Sequence, residues 1–278
     1  MSYVKPDQLI DAAVQAGVDK ANLSVTQMLA RGSLAGAILA CATTVAFTAT
    51  AQTGLGIVGA VIFPVGFVMI VLLGLELVTG SFALIPLAVL ERRTTIGKAL
   101  KNFFWVIIGH LAGCGVYLLL YAATVTRMGT DTSNPVIGAI VSAAEGKTLG
   151  YETLGASGMA LVIIKAVLCN WMVTIGAVMA LTSTATGGKI FAMWLPVTSF
   201  FALGFEHAVV NMFVIPAGML LGADVSLAAW WGWNQAPVLV GNLIGALTLT
   251  AALLYFSHRT SVRRATATSA APALAEAA

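Results

Sequence analysis

The chain has 278 residues, 59% of them hydrophobic and 9% charged, with a mean hydropathy of +0.95 and a formal net charge of +3. Soluble domains average about 25% charged residues, so the ionic groups here are too few to coat a globule and a lipid-facing surface is expected. No basic run with interleaved aromatics occurs, which argues against nucleic acid as a partner.

Residues 1–30 hold no short apolar stretch behind a basic start, so no cleavable signal peptide is expected. Leu9, Ile10, Ala13, Val14 and Val18 instead recur at helical spacing among Asp7, Asp11, Asp19 and Lys20. That pattern predicts an amphipathic helix at the membrane surface. Apolar runs follow near 33–52, 57–90, 100–124, 158–182, 189–221 and 236–257. A helix needs roughly 20 apolar residues to cross a bilayer. The runs at 57–90 and 189–221 overshoot that length, yet neither divides into two crossings with a loop between. Each carries one carboxylate near its middle beside glycine, Glu76 and Glu206. The economical reading is one crossing apiece, interrupted around 75–80 and again around 204–208 by a non-helical break that lines a cavity or is buried in protein. The fold class expected is therefore an all-α membrane protein of six transmembrane helices. Residues 31–258 form the transmembrane domain, and 259–278 form a low-complexity tail expected to be disordered.

The loops orient these crossings. Residues 91–101, ERRTTIGKALK, carry four basic groups; Lys5, Lys20 and Arg31 lie at the N-terminus, Lys189 in the loop near 183–189, and Arg259, Arg263 and Arg264 in the tail. With six crossings all four regions share one side, which the positive-inside rule makes the cytoplasm. Both termini are expected in the cytoplasm, with the chain in the inner membrane.

An internal repeat supports the count. Gly74-Leu75-Glu76 sits in the first break and Gly204-Phe205-Glu206 in the second. Gly109-His110-Leu111-Ala112-Gly113 follows the first, and Gly241-Asn242-Leu243-Ile244-Gly245 follows the second at nearly the same offset between halves. Three crossings per half force the halves to be inverted, an arrangement that builds substrate paths where broken helices meet.

Ionisable residues within a span point to function by default. Glu206 has a structural reading, pinning backbone donors at the break. His207 has two: a satisfied core histidine, or a titratable donor to a passing solute, which the glycine, the break and the repeat favour. His110, His207 and His258 lie in separate segments and no HExxH occurs, so no metal is expected. No cofactor is expected, and GxSxG, Walker A and asparagine-proline-alanine patterns are absent. Cys41, Cys114 and Cys169 all fall in apolar runs and read as small buried hydrophobes.

The stretch GFEHAVVNMFVIP at 204–216 resembles the signature of the formate–nitrite transporter family. So do GLELVTG at 74–80, KNFFW at 101–105, LCNWMV at 168–173 and GNLIG at 241–245. The resemblance covers residues 5–258 and implies a homopentamer of aquaporin-like protomers, each with its own path for a small monovalent anion. It implies that His207 is the central histidine, that Thr79 in the interrupting loop hydrogen-bonds it, and that Asn242 lies near it. Glu206 and Asn211 belong to the same signature. Leu77, Thr79 and Val173 are implied for the cytoplasmic constriction, and Phe63, Phe67 and Phe200 for the periplasmic one. Phe67 departs from the leucine of the formate channels, and His110 stands where they have asparagine. For the vestibule lysine, Lys147 is preferred to Lys165. Desolvating a bare ion costs many kcal/mol. A cationic vestibule concentrates it, apolar rings exclude larger hydrated ions, and His207 is placed to lend a proton. Formate leads among the candidate substrates, followed by nitrite, hydrosulfide, acetate and lactate. A receptor of the same fold that moves nothing is the alternative from another class, and a membrane enzyme lacks a catalytic constellation.

A reporter fused after His258 tests the topology. Activity confined to the cytoplasm is expected; activity confined to the periplasm contradicts six crossings with internal termini.

Overall fold

A computed structural model describes residues 3–258; the tail expected over 259–278 lies outside the described residues. Among those described, the structure is helical, with one isolated bridge between Tyr3 and Ser183. In chain order the helices are α1 (Pro6–Ala21), α2 (Val25–Thr53), α3 (Gly56–Ile62), α4 (Pro64–Leu72), α5 (Val78–Leu90), α6 (Ile96–Val125), α7 (Pro135–Gly146) and α8 (Leu149–Glu152). They continue with α9 (Gly155–Met179), α10 (Thr186–Ala202), α11 (Ala208–Leu221) and α12 (Leu227–His258). Local chemistry sets several starts. Ser24 and Gln27 form a reciprocal capping box before α2, and the side chains of Thr95 and Asn134 accept the first free N–H groups of α6 and α7.

Four helices, α2, α6, α12 and α9 with its extension to Thr182, are long and apolar enough to cross a membrane. Between them lie two interrupted apolar stretches, α3–α4–α5 and α10–α11. Both interruptions have the same construction. Gly74 and Gly204 adopt left-handed backbone, φ +63° and +64°, which glycine reaches without a Cβ penalty. The Leu75 N–H then donates to the Ile70 carbonyl (2.9 Å) and Gly74 N–H to Val71 (3.1 Å). Phe205 N–H likewise donates to Phe200 (3.1 Å) and Gly204 N–H to Phe201 (3.1 Å). This is the Schellman closure, which satisfies carbonyls orphaned by a helix end. Two extended residues, Leu77 and His207, then precede the restarts at Val78 and Ala208.

The helix-free residues are 73–77 and 203–207, slightly earlier than the 75–80 and 204–208 that the sequence predicts. Thr79 consequently lies in the first turn of α5 and not in the loop, because the Leu77 carbonyl already accepts from Gly80 (3.1 Å) and Ser81 (3.0 Å).

Glycines set the helix crossings. A Cβ at Gly32 would come 2.9 Å from the Val106 carbonyl, one at Gly36 2.7 Å from that of His110, and one at Gly109 2.8 Å from that of Leu29. The backbones of α2 and α6 are therefore in near contact, as small residues allow in membrane helices. Gly241, where a Cβ would meet the Ile163 carbonyl at 2.8 Å, and Gly245 do the same between α12 and α9. The α1 helix buries Leu9, Ile10, Ala13 and Val14 and packs on α5. The face that the sequence assigns to the membrane surface is thus covered by protein. The outer surface is strongly apolar, with Leu119, Leu120, Phe191 and Leu195 all exposed. Cys114 and Cys169 are buried as expected, whereas Cys41 lies on the exposed side of α2.

Gly113 and Gly115 provide an internal control for this packing. A Cβ at Gly113 collides with the Ser33 backbone, whereas one at Gly115 meets nothing within 4 Å. Gly113→Ala should lose about 1–3 kcal/mol of stability through overpacking, while Gly115→Ala should be neutral or slightly stabilising. Thermal denaturation in detergent reads the difference; equal midpoints would contradict the near contact of α2 and α6.

Candidate functional site

Each break carries one buried carboxylate, and each carboxylate is held by side chains alone. Glu206 is 2% exposed. It accepts from Lys147 Nζ (2.9 Å), Tyr151 Oη (2.7 Å), Asn211 Nδ2 (2.7 Å) and Asn234 Nδ2 (3.3 Å). The expectation that it pins backbone donors is therefore corrected: four side-chain donors already fill its oxygens, and the backbone is held by other groups. Glu76, also 2% exposed, accepts from Lys20 Nζ (2.8 Å), Ser81 Oγ (3.3 Å) and Asn102 Nδ2 (3.4 Å). A buried charge is tolerable only when paired and hydrogen-bonded, and each break is met by a lysine from elsewhere in the chain, Lys20 of α1 and Lys147 at the end of α7.

The backbone of the second break is held by Asn242. Its Oδ1 accepts from the Ala208 N–H (2.9 Å), and its Nδ2 donates to the carbonyls of Glu206 (2.9 Å) and Ala166 (2.8 Å). Asn242 thus clasps the peptide groups on either side of His207, with no side-chain bond to the ring. Asn170, quoted in the sequence only as part of a motif, joins the two halves. Its Nδ2 donates to the carbonyls of Thr79 (3.1 Å) and Asn242 (2.7 Å).

His207 and Thr79 meet where the two breaks approach each other. Both are buried, and Thr79 Oγ1 lies 3.2 Å from His207 Nε2. The other ring nitrogen, Nδ1, accepts from the Val210 N–H (3.2 Å). An N–H donor requires a lone pair there, so the neutral ring carries its proton on Nε2 and donates it to the Thr79 hydroxyl. Phe200 stacks on the imidazole, with centroids 5.5 Å apart and planes at 18°. Phe63 meets Phe200 edge-on (5.7 Å) and stacks on Phe201 (4.1 Å). Polar atoms at this point are therefore few, and one side of the histidine is sealed by aromatic rings.

A cavity of about 370 Å³ lies against the first break, with Leu77 and Gly80 in its wall but neither Thr79 nor His207. Its wall includes Lys20, Arg31, Phe67, Glu76, Leu77 and Lys189. Phe67 and Leu77 share this wall, whereas Phe63 and Phe200 do not line it, so the structure groups Phe67 with Leu77. Val173 is fully buried in the same apolar core as these residues. Of the two candidate lysines, Lys147 engages Glu206, while Lys165 Nζ lies 5.8 Å above the Tyr151 ring. No group of three metal-ligating side chains occurs among the described residues.

The sequence reading missed Lys20, Tyr151, Asn102 and Asn234 as partners of the carboxylates. One signal was available: Lys20 precedes Glu76 by almost the same interval as Lys147 precedes Glu206, so the ion pairs follow the repeat.

Three comparisons bear on this geometry. A family model described as formate/nitrite transporter matches residues 7–256. The chain is 30% identical to the uncharacterized transporter YrhG of Bacillus subtilis, over 92% of this chain and 94% of that protein. It is 33% identical to a probable formate transporter of Methanothermobacter thermautotrophicus, over 71% and 73%. With the formate channel BtFdhC of Bacillus thuringiensis it shares 29% identity over 88% and 92%. Among solved structures, an FNT family ion channel superposes with a TM-score of 0.76 at 21% identity, covering 90% of this chain and 98% of that one. A pentameric formate channel with formate bound gives 0.69 at 20%, covering 84% and 97%. The protein belongs to the formate/nitrite transporter family, and is thus a multi-pass membrane protein of a family of transporters and channels, not of enzymes.

Proposed function

We propose that the chain carries formate across the inner membrane, with nitrite as the next substrate. The observation that carries the proposal is the Thr79–His207 pair, seated between the two helix breaks beneath Phe200. The two interrupted stretches each count as one crossing, giving six in all and two inverted halves, with both termini in the cytoplasm. Lys20, Arg31 and Lys189 then mark the cavity as the cytoplasmic entrance. Lys20 there is paired with Glu76, and Asp19 also lines the wall, so Arg31 and Lys189 supply the positive charge that meets an arriving anion and raises its local concentration. Phe67, Leu77 and Val173 form the apolar constriction on that side, and Phe63 and Phe200 the one on the other. His207, neutral at rest, takes up a proton from the aqueous side as the anion arrives and passes one proton to the anion beside Thr79, returning to the neutral ring, so that a nearly neutral acid crosses the dry zones. Glu206, Asn211 and Asn242 hold the break in shape, and Lys147 is the cation of the second side. The relatives named as formate channels support formate, and the pentameric neighbour supports a homopentamer; in this proposal the assembly sits in lipid and protons move with the anion.

Uptake into proteoliposomes tests the proposal. The purified protein should take up formate and acidify the lumen; no flux of formate or nitrite would favour a receptor role. Unperturbed histidine titrates near about 6.5, and histidine is the side chain whose charge ordinarily changes between about pH 5 and 8. His207→Asn should assemble normally but lose the wild-type pH dependence of flux across that interval. An unchanged rate and pH profile would make His207 a structural core residue.

Lys147→Met would leave Glu206 buried without its cation, a loss of about 3–5 kcal/mol for a buried pair. The thermal midpoint should fall sharply, and the double variant with Glu206→Gln should recover part of it. A single variant as stable as wild type would show that the pair contributes nothing to the second break.

A further inference from the structure

His110 lies outside the Thr79–His207 pair, yet it is fully buried and both of its ring nitrogens are engaged. Nε2 is 3.1 Å from the Val78 N–H, the first peptide of α5. Nδ1 is 2.9 Å from the Gly32 carbonyl of α2. Both partners are backbone groups with fixed roles: a carbonyl only accepts and a peptide N–H only donates. One state satisfies both, a ring with a single proton on Nδ1 and a lone pair on Nε2. His207 has the opposite tautomer, with its proton on Nε2.

The second half of the chain solves the same problem with Asn242. That side chain accepts from the first N–H of the restarted helix, Ala208, and donates to a carbonyl of a neighbouring long helix, Ala166 of α9. His110, at the matching position of the first repeat, has the same two duties for Val78 and for Gly32 of α2. An apolar side chain would fill the space but leave the Val78 N–H buried and unpaired, which is costly. Thr79 is the next residue along. Its carbonyl is held by Asn170 and its hydroxyl meets His207. The first turn of α5 is therefore suspended between His110 on α6, Asn170 on α9 and His207 in the second break.

We infer that His110 is a positioning residue for transport: by suspending the Val78 N–H between α6 and α2, it fixes where Thr79 presents its hydroxyl to His207. This rests on the reading of Thr79–His207 as the passage, and it is testable apart from that reading.

The experiment combines histidine NMR with transport. In the wild-type protein labelled with ¹⁵N-histidine, His110 should show its proton on Nδ1 and His207 on Nε2, with assignments from His110→Gln and His207→Asn. Val78→Pro removes the N–H while leaving His110 in place, and proline is tolerated at the first position of a helix. It should lower formate flux about tenfold or more in normally assembled protein, as loss of a buried hydrogen bond at a reaction point does, and it should displace the His207 Nε2–H signal. His110→Gln sets its Oε1 near the position of Nε2, so flux should stay within about threefold of wild type. His110→Leu fills the space but offers the Val78 N–H no acceptor; it replaces Val78→Pro if the latter does not assemble, with the same loss expected. A proton on Nε2 of His110, wild-type flux in Val78→Pro, or an equal loss in His110→Gln would each overturn the inference. If wild-type protein moves neither formate nor nitrite, the transport reading fails, and the tautomer measurement still decides how His110 is held.

Discussion

Stopping a helix inside a hydrocarbon layer strips partners from roughly four carbonyls at its end, and restarting it strips roughly four N–H groups. Lipid supplies none of these partners. The chain meets that demand twice with the same means. Glycine at 74 and 204 lets the backbone turn left-handed so that the next N–H groups reach back to the carbonyls. His110, Asn242 and His207 then supply acceptors for the restarting helices. The fully buried histidine and asparagine side chains in an otherwise apolar interior are accounted for by those two interruptions.

The repeat is clearest in what supports the breaks and weakest in what faces the passage. Schellman closures, Glu76 and Glu206, their lysines and the clasping residues His110 and Asn242 all correspond. Pro86 and Pro216 sit at equivalent points of α5 and α11, each ten positions beyond its break's carboxylate. Two positions differ in kind. Leu77 stands where the second half has His207, and Thr79 where it has Val209. The histidine of the second break thereby meets the threonine that follows the first, and this side-chain contact arises from departures from symmetry. Support is shared between halves because both face the same backbone problem; the proposed chemistry is divided between them, one half supplying the donor and the other the hydroxyl.

Composition alone made the membrane legible, and segment length together with the Gly-x-Glu spacing made both breaks legible to within about two residues. Hydropathy is insensitive to where a helix resumes, so Thr79 fell into the loop: the decision lies in the Leu77 carbonyl, which already accepts from two N–H groups. The carboxylate partners were hidden for a different reason. Lys20 read as a charge of the cytoplasmic side and Lys147 as a vestibule lysine, since their sequence neighbours say nothing of an ion pair formed with a residue far away in the chain. The family resemblance grouped Phe67 with Phe63 and Phe200, but Pro64 interrupts the helix between Phe63 and Phe67, and the cavity wall joins Phe67 to Leu77.

On the proposed route an anion at this point would exchange water for a few protein donors, and the structure keeps those donors few and their surroundings close to neutral. Each carboxylate is matched by its own lysine, at 2.8 Å for Glu76 and 2.9 Å for Glu206, so neither repels an anion as an isolated negative charge would. The central claim is that the Thr79–His207 contact lies on the route of the anion. In a variant lacking Cys41, Cys114 and Cys169, the rate at which Thr79→Cys reacts with a small neutral thiol reagent, with and without formate, tests it most directly. The account predicts that the thiol reacts, that modification blocks flux, and that formate slows the reaction. A thiol that stays unreactive in protein that still transports formate would place the route elsewhere.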